Sequence, residues 1–220
     1  MPDKNCPVLL EFIPGGAGWA KIIMKIYDDS FTFPISYIGD SVYGLVERIY
    51  YLYPDWNHDD CDYRVMEYYD DIEVVSTVDG VTVNRVWSNV PWRTQLIWDG
   101  EGKFVNVYFE RPKTIEANCD VTITLDVHQE KESVHSYYVK YMDLAYALAK
   151  GVTELLVKYG IVGYYESTWM DDVNIRHFLR IKEIALNAAI ELEADDEGAD
   201  SDIYKSRLGQ EMDLLIMPIP

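Results

Sequence analysis

The sequence predicts an α+β fold: an antiparallel sheet of several hairpins with three main helices packed on it. Three observations carry that expectation. Between about residues 72 and 141 the chain is strand-rich and punctuated by hairpin signals. Tyr137–Gly160 then reads as a strand end running into one long amphipathic helix. Runs of strands followed by helices, without regular alternation, favour segregated α+β architecture over a parallel sheet. The 220 residues are read as a single α+β domain over 1–220, which is enough chain for one sizeable core.

The helix over 142–159 organises the rest. Leu144, Leu148, Val152, Leu155, Leu156 and Tyr159 recur at helical spacing and form one apolar stripe, while Lys150, Glu154 and Lys158 occupy the other side. Asp143 is the predicted N-cap, because its carboxylate can accept the orphan N–H groups of a first turn. Gly160 is the predicted stop.

Residues 1–18 read as a leading segment that ends in the turn Pro14–Gly18. Its glycines lack P-loop spacing and the Gly-Lys-Ser/Thr ending, so a phosphate loop is excluded. A strand follows at Trp19–Tyr27, with Ile22, Met24 and Ile26 on one face, then a turn at Asp28–Ser30. Phe31, Phe33, Ile35 and Tyr37 alternate with Thr32, Pro34 and Ser36 as in a half-buried strand, and Pro34 marks that strand as an edge or as irregular. Asp40 caps a helix whose face is Val42, Leu45, Val46, Ile49 and Leu52, ended by Pro54. Asp79-Gly80 between Ile72–Val78 and Val81–Trp87 predicts a type I′ hairpin. Asp99–Gly102 turns a second one, from Thr94–Trp98 to Lys103–Glu110. Val121, Ile123, Leu125 and Val127 mark a half-buried strand, and Val134–Tyr141 leads into the central helix. A third helix is expected from about Asp172 to Glu193. Its polar stripe is Arg176, Arg180, Glu183, Asn187 and Glu191, opposite Phe178, Ile181, Ala185, Ala188 and Leu192. Glu193–Asp202 reads as an exposed acidic loop, and Leu214–Met217 as a last short strand.

Charge and cysteines narrow the function. Lys plus Arg is 19 against 38 Asp plus Glu, a net charge of −19. Such a chain repels nucleic-acid phosphates and anionic lipid and attracts basic partners. Nucleic acid and membrane are therefore excluded as expected partners. Cys6, Cys61 and Cys119 are odd in number, widely spaced and without a C-x-x-C, which argues against disulfides and against a cysteine zinc site. No export signal or 20-residue apolar run is seen, so a cytoplasmic protein is expected.

Catalytic signals are missing. There is no Gly-x-Ser-x-Gly and no His-Glu-x-x-His, and His58, His128, His135 and His177 fall in no catalytic spacing. The cluster His58, Asp59, Asp60 and Asp62 offers hard oxygens, but a solvated turn accounts for it, and no metal or cofactor is assigned. What remains is acid. Asp55–Glu73 holds eight acids and one base, and Glu193–Asp202 six acids and no base. In the first stretch Asp55, Asp59, Asp60, Asp62, Asp70 and Asp71 accompany Trp56, Tyr68 and Tyr69. Exposed acids steer a basic protein and aromatic rings anchor it, so these nine residues are the candidate partner-binding set.

Ile35–Val46 places a Ser-Tyr strand end and an Asp cap before an apolar helix, followed by a Trp- and acid-rich antiparallel sheet. Tyr138–Leu156 and Asn174–Leu186 have the same flavour. In these stretches the chain resembles small acidic α+β immunity proteins of bacterial polymorphic toxin systems, which bind a toxin domain and block it. The resemblance implies a non-enzymatic protein that neutralises a basic toxin domain. An enzyme with a site assembled from dispersed residues, or a structural or regulatory subunit, are the other readings.

Overall fold

A computed structural model describes residues 6–36, 42–53, 72–78, 81–87, 92–112, 116–128, 132–168, 172–194 and 204–220. Asp40, Pro54 and the Asp79-Gly80 turn lie outside them. The fold is α+β, with a three-stranded and a four-stranded antiparallel sheet. The first sheet is a meander of β1 (Val8–Gly16), β2 (Trp19–Ile26) and β3 (Asp29–Ser36). The leading segment is thus itself a strand. Val8, Leu10 and Phe12 point into the core, and the exposed Leu9 between them disguises the alternation. β3 is an edge strand, which lets it carry Pro34 without losing a ladder hydrogen bond.

Helix α1 (Val42–Tyr51) follows, and Val42, Leu45, Val46, Ile49 and Leu52 are all buried. Its last carbonyls are satisfied by distant side chains. Thr94 Oγ1 donates to Arg48 O at 3.5 Å, Tyr141 OH to Ile49 O at 3.0 Å, and Arg111 Nε to Leu52 O at 2.6 Å. Strands β4 (Ile72–Val78) and β5 (Val81–Trp87) pair as the predicted hairpin, with Val78 opposite Val81.

The second sheet runs β6 (Arg93–Asp99), β7 (Phe104–Glu110), β8 (Asp120–His128) and β9 (Glu132–Lys140) in sequence order. β8 departs from the half-buried expectation: Thr124 and Asp126 are buried along with Val121, Ile123, Leu125 and Val127. β8 lies between β7 and β9, so its side chains are flanked on each face by those of two neighbouring strands, and Thr124 meets Ser136 of β9 at 3.0 Å. Trp98, fully buried, meets Phe33 at 5.2 Å between ring centroids and joins the two sheets.

Helix α2 (Tyr141–Tyr159) starts without a linker after β9. Asp143 is therefore not its N-cap; it lies inside the first turn, and Lys140 holds the cap position without a side-chain bond. The connection before β8 does the capping instead. Cys119 O accepts from Tyr141 N at 2.9 Å, and Asn118 Oδ1 accepts from Met142 N at 3.2 Å. Gly160, at φ 71°, ends the helix as predicted. The apolar stripe of α2 packs on β1 and on the later helix α4.

Five helices occur among the described residues, against three expected. α3 (Ile161–Thr168) begins immediately beyond Gly160. α4 (Ile175–Leu186) is shorter than the predicted span, because Asn174 caps it and Asn187, at φ 51°, closes it in the left-handed conformation. Leu192 is consequently off the helix and half-exposed in β10 (Leu192–Ala194), which pairs with β11 (Tyr204–Ser206). The acidic loop thus begins inside a strand. The expected final strand is instead helix α5 (Leu208–Ile216). A short apolar run fits either state, and here Leu214 and Leu215 are buried together by a helix packed on α4.

Candidate functional site

The candidate residues Asp55, Trp56, Asp59, Asp60, Asp62, Tyr68, Tyr69, Asp70 and Asp71 lie outside the described residues, as does His58. What the structure does place is the root of each acidic stretch. The first follows the C-terminal end of α1, which packs on the N-terminal half of α4, and the second follows the start of β10, which faces the same half of α4 across a cleft.

On the α1 side the contact is His177, in the first turn of α4. Its imidazole stacks on Tyr50 at 4.0 Å and meets Tyr51 edge-on at 5.4 Å. Asn174, the helix cap, accepts from His177 N through Oδ1 at 3.3 Å and lies 2.8 Å from Nδ1 through its amide nitrogen. Arg176 Nη2 is 2.7 Å from Nε2; an amide nitrogen and a guanidinium both only donate, so a neutral ring accepts from one of the two at a time. His177 is 2 % exposed. Burial, and then the adjacent Arg176 charge, push its pKa down to about 4, so the ring is neutral at physiological pH.

On the other side α4 faces the β10–β11 ribbon and α5 across a cleft of about 320 Å³. Ile175, Arg176, Leu179 and Arg180 line it from the helix, at spacings that set an apolar row beside a cationic row. Ile190, Leu192, Ser206 and Glu211 form the opposite wall. Arg180 Nη1 binds Glu183 Oε2 at 2.7 Å, and Glu183 Oε1 also accepts from Ile190 N. Ser206 Oγ donates to Glu211. Behind the cleft, fully buried Lys182 donates to Leu215 O at 3.0 Å and lies 5.6 Å from the Phe178 ring centre. Burial lowers its pKa to about 8.

Other polar clusters offer less chemistry. His128 lies between Asp126 (3.1 Å) and Glu132 (3.9 Å) and stacks on Phe104 at 4.4 Å. Cys6 and Cys119 are free thiols whose pKa is raised chiefly by burial, the reverse of an activated nucleophile. No group of three metal-ligating side chains occurs among the described residues.

From sequence, Arg176 and Arg180 belonged to a solvated stripe and His177 to no site. The signal was the pair Ile175 and Leu179, apolar at i and i+4 beside the two arginines and offset from the core face Phe178, Ile181 and Ala185. That offset gives α4 a second apolar edge. Comparisons with protein-family models, curated proteins and solved structures returned no match.

Proposed function

We propose that the protein is a non-enzymatic binder of a basic protein partner, of the kind an immunity protein makes with a toxin domain. One observation supports this beyond composition: the described segments next to both acid-rich stretches face the N-terminal half of α4, Tyr50 and Tyr51 packing on His177 and the β10–β11 ribbon lying across the cleft from Ile175 and Leu179. Fourteen of the 38 acids fall in these two stretches, with one base. Like charges close together in sequence add in the field an approaching cation meets.

The test starts with capture of basic proteins from the native host at low ionic strength. The association rate of a captured protein is then followed at low and high salt. Asp59, Asp60 and Asp62 changed together to Lys should slow association and flatten its salt dependence; Asp195, Asp196 and Glu197 changed together to Lys should do the same more weakly. No basic protein captured, or an unchanged rate in the first triple variant with the fold intact, would sink the proposal.

A further inference from the structure

We infer that the cleft between α4, the β10–β11 ribbon and α5 is a binding site for the carboxylate of a small aliphatic monoanion. Arg176 and Arg180 take the carboxylate, and Ile175, Leu179, Ile190 and Leu192 pack on the chain.

Four observations lead there, none of which depends on a basic protein partner. First, two guanidinium groups one helical turn apart line one cleft in a chain of net charge −19. Second, Arg176 bonds to a neutral imidazole rather than to a carboxylate among the described residues. His177 is locked by Tyr50 and Asn174, so it fixes the guanidinium without neutralising it. Nε and Nη1 of Arg176 remain for a ligand. Arg180 spends Nη1 on Glu183, and that carboxylate is shared with the backbone N–H of Ile190. Two forked donors side by side match the two oxygens of a carboxylate. Third, the remaining α4 lining is aliphatic, and Ile190 and Leu192 face it, which suits an alkyl chain better than a sugar or a base. Fourth, Glu211 stands on the opposite wall. A ligand with a second negative charge meets it, so dianions are selected against. At about 320 Å³ the cleft lies at the small end of ligand sites. It holds a short fatty acid, or one apolar residue with a free C-terminal carboxylate.

Isothermal titration on the full chain separates these. The probes are hexanoate, hexylamine, inorganic phosphate, succinate, Gly-Gly-Leu and its C-terminal amide. Hexanoate should bind saturably, hexylamine not at all, and phosphate and succinate more weakly. Arg176→Gln and Arg180→Gln should each weaken hexanoate by roughly tenfold or more, the scale of one charge-assisted hydrogen bond. Leu192→Ser, at a half-exposed position that leaves the core intact, should weaken it by a smaller factor. Gly-Gly-Leu binding much more tightly than hexanoate, with the amide inert, would identify a chain terminus as the source; the reverse order would identify a free acid. Absence of saturable carboxylate binding, equal binding of hexylamine, or unchanged binding in a folded Arg176→Gln variant would overturn the assignment.

Discussion

His177 carries a pH dependence whose sign follows from its burial. Its pKa falls from 6.5 in the unfolded chain to about 4 in the fold, so the unfolded chain takes up the proton first. Stability is then full above about pH 6.5 and declines as pH falls toward 4. In His177→Gln that part of the acid slope should disappear, measured as the urea midpoint across the same range. Lys182 acts at the other end. With a pKa of about 8 against 10.5 unfolded, its unfolded form holds the proton longer, so stability rises from pH 8 to 10.5. Lys182→Met should abolish that rise; an equally steep rise in the variant would assign it to other groups. Neither residue was legible from the sequence as special, since a lone histidine and a lysine between apolar neighbours occur on many helices. Their burial depends on Tyr50, more than a hundred residues earlier, and on α5, which the sequence disguises as a strand.

At the scale of elements, α2 shows what periodicity reveals and what it misses. Its stripe was legible: Leu144, Leu148, Val152 and Leu155 are all buried. Leu148→Ala or Leu155→Ala should destabilise by roughly 2–5 kcal/mol, and Lys158→Ala by little, read from denaturant unfolding. The cap was misassigned because capping rules expect a loop before a helix, and β9 runs straight in. Gly151 was equally opaque. In sequence it is a weak point inside a helix, but in the fold it is where α2 comes close to β1. A methyl group there would collide with Leu10 O and press on Phe12. Gly151→Ala should therefore destabilise, by about 1–3 kcal/mol of overpacking offset by up to about 1 kcal/mol of helix propensity. A gain in stability would show that the helix can shift off the strand.

For the whole molecule, the fold class and strands β2 to β9 followed from alternation and turn chemistry, which are local; β1, read as a leading segment, and the division into two main sheets did not. The arrangement of the sheets, the ribbon and the cleft did not, because they depend on contacts across the length of the chain. The cysteines provide a global check: Cys6 and Cys119 are separate free thiols, so a reductant should leave the thermal midpoint unchanged. A midpoint several degrees lower in reductant would mean that a disulfide had formed.

The contact between Gly151 and Leu10 also bears on how the protein is made. β1 leaves the ribosome ahead of part of its cover, a helix encoded some 140 residues later. At cellular elongation rates that is a delay on the order of ten seconds. Through that interval Val8, Leu10 and Phe12 lack the helix that buries them, a natural substrate for a nascent-chain chaperone. Synthesis from the N-terminus thus makes this surface well before it is covered, and the yield of folded protein should depend more on translation speed and chaperone supply than its final stability suggests.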